Sequence, residues 1–399
     1  MTSSLACASL LPCLEPDETP IQDAVVAWDD EVIVYAGPRS GFPGEPDRTL
    51  PHATVVPGFV DCHTHLPFVG WRDDEFEARL AGRSYRDLHG EGGIARSARM
   101  FAEAADEEVL SFARGLAFEM LAHGTTALEL KTGYGLSVEA ELRQARLARR
   151  LAAEIPQVAT VTLLACHAVP EGWEREAWVT AACTELIPAA ADEGLADAVD
   201  VYVEDIAFSV EDLHRVAEAA FSHGLRLRVH ADQLGASGAA EAAAELGAAS
   251  ADHLNHVSGS GVTALARSGT TAVLLPASTF LLRARPPRPE LLSGGVSLAI
   301  ATDCNPGTSP VASMPLALAI ACVAYGLSPA RAVHAATAGG AEVLGVADRL
   351  GSLRPGFRAD LVVLEGDDVR MLAYRPDHDP VLEVVVAGRV AWSRPPATA

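Results

Sequence analysis

Apolar residues in this chain gather in short runs, separated by longer stretches that can hold helices. The runs "ATVVPGFVDCH", "TTALELK", "VATVTLLACH", "ADAVDVYVED", "LRLRVHAD", "ASADHLNHV", "TTAVLLPAS" and "VSLAIATDC" each read as a strand. Such nearly unbroken apolarity is what strands covered on both faces require. The gaps between them take helices, for example over "VEAELRQARLARRLAAE" and "GAAEAAAELG". Eight strands alternating with helices predict an α/β fold, a parallel (β/α)8 TIM-like barrel, over residues 54–345. The ends differ. Residues 22–36, "QDAVVAWDDEVIVYA", predict two strands about an Asp-Asp turn, and residues 359–392 hold "ADLVVLEGD" and "VLEVVVAGRVAW". Segments 1–53 and 346–399 are therefore expected to pair into a small β-sandwich domain beside the barrel.

Two other apolar stretches have simpler readings. The start, "MTSSLACASLLPCLEPDE", lacks a basic region and is not read as a signal peptide. "MPLALAIACVAYGL" is too short to span a bilayer and is expected to form a buried helix.

Composition sharpens this picture. Of 399 residues, 49% are hydrophobic and 21% charged, enough for a sizeable core and too apolar for general disorder. The net charge of −23 argues against nucleic-acid and anionic-membrane partners. A small anionic substrate would then need a positive group in its pocket. The seven cysteines form no CxxC pair, which suggests a reduced, cytoplasmic protein.

Barrel enzymes build their sites at the C-terminal ends of the strands. Here the runs end at His63, Lys131, His167, His230, His253 and Asp303. His63 and His65 stand two apart at a strand end, so both imidazoles share a face. With His230 and Asp303 they offer the ligand types for an ion that activates water. His167 and His253 can serve as ligands, polarise a substrate or fill the core. His123 and His223 each precede a glycine at a helix end and are read as structural. His52, His214, His256, His334 and His378 have no ligand context. Lys131 is the only lysine, against 29 arginines. Three readings stand for it: holding acidic groups in place, pairing with a substrate anion, or bridging metals as a carboxylated lysine.

At these residues "VVPGFVDCHTHLPF", "HAD" and "ATD" resemble the amidohydrolase superfamily of metal-dependent hydrolases. "LELKTGYGL", "CHAVP", "EGLADAVDVYVED", "HADQLGASGAAEAAAELGAASADHL" and "ATDCNPGTSP" are similar, in order, to segments of its imidazolonepropionase family, from about residue 22 to the end. The resemblance implies hydrolytic opening of 4-imidazolone-5-propanoate to N-formimidoyl-L-glutamate, with one zinc or iron ion per subunit. It implies metal ligands at His63, His65, His230 and Asp303, and substrate contacts at Arg72, Tyr134, His167, Gln233, Asn305, Gly307 and Thr308. Arg72 offers a fork for a carboxylate. Tyr134 lies between two glycines that let its loop turn. In the implied mechanism Asp303 accepts and returns a proton, and His253 orients water or steadies an oxyanion. Gln233 stands where some family members carry Glu, and glutamine cannot take a proton at neutral pH. Asn255 stands where an acid is expected, which leaves the support of His253 open. A homodimer is one expectation for the assembly.

Two alternatives remain at this level. One is another amidohydrolase, a deaminase or cyclic amidase acting on a small N-heterocycle. Two-metal cyclic amidases carry a lysine on or near the fourth strand, and "DAVDVYVED" has none. The other is a binding barrel without catalysis, which would hold no stoichiometric metal.

Overall fold

The computed structural model describes residues 2–90, 92–293 and 295–395. Four strands open the chain: β1 (Thr2–Leu10), β2 (Ile21–Asp29), β3 (Val32–Pro38) and β4 (Arg48–Pro57). Eight more follow, alternating with helices: β5 (Phe59–Asp61), β6 (Thr125–Lys131), β7 (Val158–Cys166), β8 (Ala198–Val203), β9 (Arg226–Ala231), β10 (Ser250–His253), β11 (Thr271–Leu274) and β12 (Leu298–Ile300). The chain closes with β13 (Leu361–Glu365), β14 (Val381–Val386) and β15 (Arg389–Ser393).

Strands β5 to β12 pair in parallel and in sequence order, as the apolar runs predict. The seam between first and last is drawn together by a bridge from Thr64 to Cys304 and by Asp303 N–H donating to His63 O at 3.0 Å. Below it, the buried Asp61 carboxylate accepts from Thr302 N (3.0 Å) and Thr302 Oγ1 (2.6 Å). Outward side chains such as Leu163, Val199, Leu227 and Ile300 pack under the helices in one continuous apolar cluster. Burial at about 25 cal/mol per Å² of apolar surface makes that layer the main source of stability.

The terminal segments form one seven-stranded sheet among the described residues, ordered β15-β14-β13-β4-β1-β2-β3. Its strands pair antiparallel except β1 and β4, which are parallel. The opening stretch is thus a strand near the middle of this sheet, with Leu5 and Leu10 in its core. The run "ATVVPGFVDCH" divides at Gly58. Its first half is β4, paired with β1 and β13, and its second half starts the barrel. Both halves are covered on two sides, so hydropathy alone shows no break. Gly58 sits so close to Thr126 that an added Cβ would lie 2.0 Å from its Oγ1. "MPLALAIACVAYGL" is a helix, Met314–Tyr325, but not wholly buried: Val323 is 79% exposed. Among the described residues no helix is long and apolar enough to cross a membrane.

Candidate active site

Strand alternation sends a polar set of side chains into the barrel. On β6 these are Glu129 and Lys131, on β8 Asp200 and Tyr202, on β9 Arg228 and His230, and on β10 Asp252. They touch one another across strands: Lys131 reaches Asp200, and Arg228 reaches Glu129 and Asp252. Above them, at the C-terminal rim, stand the histidines.

His63, His65 and Asp303 bring ligand atoms within 4.8 Å of one another, and so do His63, His230 and His253. Asp303 Oδ1 lies 3.3 Å from His65 Nε2 and 3.5 Å from His63 Nε2. The His63 and His230 rings are 4.6 Å apart, and His253 is 5.3 Å from His230. The His63 ring turns Nδ1 onto Asp252 Oδ2 at 2.5 Å, and His230 places Nδ1 3.0 Å from Asp200 Oδ2. That leaves Nε2 of each, and Asp303 Oδ2, buried without a hydrogen-bond partner. Buried imidazole nitrogens and carboxylate oxygens rarely go unpaired. Carboxylates fix metal-binding histidines through the far ring nitrogen in this way, so the donor set fits a single divalent ion.

Electrostatics agree. Burial holds the His63, His65 and His167 rings well below their ordinary pKa, and brings His253 down to about 3. All four are neutral near pH 7, with lone pairs available. Burial alone would raise Asp200, but His230 and Lys131 beside it hold its carboxyl well below the usual range. For Asp252 burial wins over Arg228 and Lys131, and its pKa rises to about 6. Asp303 is raised by burial, against the pull of His253 and His230.

A pocket lies over this cluster. His65, His167, His230, His253 and Asp303 line it together with Arg72, Tyr134, Gln233, Asn305 and Thr308. Of the site residues expected from sequence, His63 and Gly307 do not line the pocket; His63 touches the cluster through Asp303, and Gly307 packs against the Arg72 guanidinium. Arg72 is buried. Its Nη1 donates to Gly93 O at 2.5 Å and Ser97 Oγ at 3.0 Å, and its Nε lies 3.3 Å from Glu75. His167 keeps Nδ1 on Gly133 O at 3.0 Å and stacks on His65 at 5.3 Å. Asn305 is spent on its own turn. Its Oδ1 accepts from Gly307 N and Thr308 N, and its Nδ2 donates to Asp303 O. Asn255 turns away from His253 and donates to Thr279 Oγ1 and Arg285 O. Lys131 lines no part of the pocket; it is fully buried between Glu129 and Asp200.

Tyr85, Ile94 and Tyr202 also line the pocket, and sequence reasoning did not find them. Tyr202 carried a signal: it stands two residues after Asp200 on β8 and so shares its inward face. Tyr85 and Ile94 lie in the short helices Tyr85–Gly90 and Gly93–Glu103, where no motif marks them. His253 and Asp303 adopt left-handed backbone, with φ of 76° and 56°. Such residues cost roughly 1–3 kcal/mol each and gather at functional sites.

The profile of the amidohydrolase family matches residues 54–391. An imidazolonepropionase from Cupriavidus pinatubonensis (strain JMP 134 / LMG 1197) is 42% identical over 96% of this chain and 93% of its own length. The chain belongs to the imidazolonepropionase family of amidohydrolases. A second imidazolonepropionase, from Xanthomonas campestris pv. campestris (strain 8004), is also 42% identical, over 90% of this chain and 92% of its own. Among solved structures, a guanine deaminase from C. acetobutylicum with guanine in its active site superposes with a TM-score of 0.75 at 16% identity, covering 98% of this chain and all of that one. A zinc-bound adenosine deaminase from Xanthomonas campestris gives 0.70 at 23% identity, over 97% and 92%. At those identities the likeness speaks for the barrel fold alone. Amidohydrolases are metal-dependent, which agrees with the unpaired donor atoms at the rim.

Proposed function

We propose that this amidohydrolase hydrolyses the cyclic amide C–N bond of 4-imidazolone-5-propanoate to give N-formimidoyl-L-glutamate, a step in histidine degradation. The observation that carries the substrate is one pocket holding both a buried guanidinium, Arg72, and the His–Asp cluster. A small ring with a carboxylate tail meets both needs, because a guanidinium fork that has one arm facing the pocket pairs with a carboxylate while the cluster faces the ring. Seven free thiols support work in a reducing cytoplasm.

His63, His65, His230 and Asp303 would hold one zinc or iron ion. Bound there, the ion supplies Lewis acidity, which lowers the pKa of water and polarises a carbonyl. Asp303 Oδ2, buried and unpaired, accepts the water's proton and returns it to the leaving ring nitrogen. His253, held neutral, orients the attacking water through a ring nitrogen. Burial pushes the Tyr134 hydroxyl above its ordinary pKa, so it stays protonated and donates to substrate. Gln233 can bond the ring without exchanging protons with it. Arg72 binds the propanoate, and Asn305 shapes the turn carrying Gly307 and Thr308.

The test is turnover by metal-loaded protein, followed as loss of imidazolone absorbance. Ring opening without ammonia release is expected, and ammonia would point to a deaminase. Asp303→Asn should lose at least about a hundredfold in kcat, the usual scale for a lost acid–base group. Near-wild-type turnover in that variant, with metal retained, would remove Asp303 from the proton path.

A further inference from the structure

Beneath the rim lie five charged side chains that the proposed reaction does not use: Glu129, Lys131, Asp200, Arg228 and Asp252. All are buried. They form one continuous line between two histidines. His230 Nδ1 lies 3.0 Å from Asp200 Oδ2, and Lys131 Nζ donates to that same oxygen at 2.8 Å. Lys131 Nζ also lies 2.7 Å from Glu129 Oε2. The other Glu129 oxygen accepts from Arg228 Nη1 and Thr162 Oγ1. Arg228 Nη2 reaches Asp252 Oδ2 at 3.1 Å, and that oxygen lies 2.5 Å from His63 Nδ1.

Glu129 is the midpoint of this line. It touches neither histidine, yet both cations that fix the supporting aspartates converge on it. We propose that Glu129 is a positioning residue that ties the Asp200–His230 and Asp252–His63 pairs into one unit, and so sets how both imidazoles present Nε2 to the ion. The proposal rests on the metal reading above. Three carboxylates against two cations leave the layer one formal negative charge, which suits a cation seated over it. Removing Glu129 would leave two like charges facing each other in a dry interior, where each would shift toward its own aspartate. Lys131 suits its place because one compact ammonium must serve two carboxylates at once. A planar fork would need more room.

The test measures Co2+ affinity, by competition with a chromogenic chelator, and the visible spectrum of the Co2+-loaded protein. The variants are Glu129→Gln, Lys131→Met, Arg228→Met and the Lys131/Arg228 double. Glu129→Gln should weaken Co2+ binding about ten- to hundredfold, the usual scale for residues behind the ligands, and shift the absorption bands. The double variant should lose little more than the worse single one, because a coupled unit is broken only once. Losses that multiply in the double variant would overturn the proposal. So would Glu129→Gln protein with wild-type affinity and spectrum, even if its metal-free form melts earlier, because a purely structural role predicts that result. Should the methionine variants fail to fold, Thr162→Val removes one donor to Glu129 more gently. A smaller loss in the same direction is expected, and an unchanged affinity counts against the proposal. Wild-type protein that binds no divalent ion would overturn the metal reading, and this inference with it. Wild-type binding with unaffected variants would overturn this inference alone.

Discussion

Arg72 shows how much a single position can decide. Its Nη1 is tied to Gly93 and Ser97, so the other arm of the fork must lie against Gly307, where an added Cβ would sit 1.6 Å from Nη2. Gly307 is required for the room it leaves, since its own φ is not in the left-handed region. Gly307→Ala should therefore displace the guanidinium and raise KM for a carboxylate-bearing substrate roughly tenfold or more, the worth of one charged hydrogen bond. The value of kcat should change much less. Steady-state kinetics decide it, and an unchanged KM would mean that Arg72 does not bind the propanoate. At this scale the rim residues were legible because each ends an apolar run. The supporting charges were also written in the sequence: the carboxylates Glu129, Asp200 and Asp252 and the guanidinium of Arg228 each interrupt a buried strand with a charge. What could not be read was their pairing, because it depends on which strands lie side by side. The same limit applied to Lys131, whose role appears only once β6 and β8 place Glu129 and Asp200 around it.

One helix governs the loop that presents Tyr134. The helix Val138–Glu154 starts at Ser137, whose side chain accepts from Ala140 N at 3.2 Å. Its first turns send two buried side chains back into the preceding loop. Glu141 accepts from Gly133 N, Gly135 N and Leu136 N, at 2.7 to 2.9 Å. Gln144 accepts from Tyr134 N at 2.9 Å and donates to Pro67 O at 2.8 Å. That second bond ties the Tyr134 loop to the segment following His65. Gln144→Leu should leave a buried donor and acceptor unpaired, costing about 1–3 kcal/mol each. The urea midpoint should fall, and amide exchange at residues 132–136 should speed up. If exchange there stays slow, the loop is held by Glu141 without Gln144. The helix itself was readable from its sequence, but its inward polar residues look like any amphipathic face. The division at Gly58 escaped for a related reason. Periodicity reports burial, and both β4 and β5 are buried, in different sheets.

At the scale of the whole molecule, the barrel and the terminal sheet meet where β4 ends. Gly58 N donates to Asp360 O at 3.0 Å, and Asp360 Oδ1 accepts from Ala387 N at 2.7 Å, so one residue joins the barrel entry to β13 and the β14–β15 turn. Arg358 lies 3.2 Å away and is 22% exposed. Burial outweighs this partner and raises the Asp360 carboxyl to about 6. An unfolded chain would give about 3.9, so folding takes up a proton here. The contribution of Asp360 to stability is then fully present below about pH 3.9 and is lost as pH rises through about 6. With about two pKa units between the states, the loss approaches ~3 kcal/mol at pH 8. Asp360→Asn keeps the acceptor for Ala387 N and carries no charge. In a chain of net charge −23 it also removes one repulsive group. Urea unfolding at pH 8 should find the variant more stable than the wild type, with the gap closing toward pH 4. A variant less stable at pH 8 than at pH 5, relative to wild type, would mean that the Asp360–Arg358 pair is ionised in the folded protein and holds the junction together by its charge.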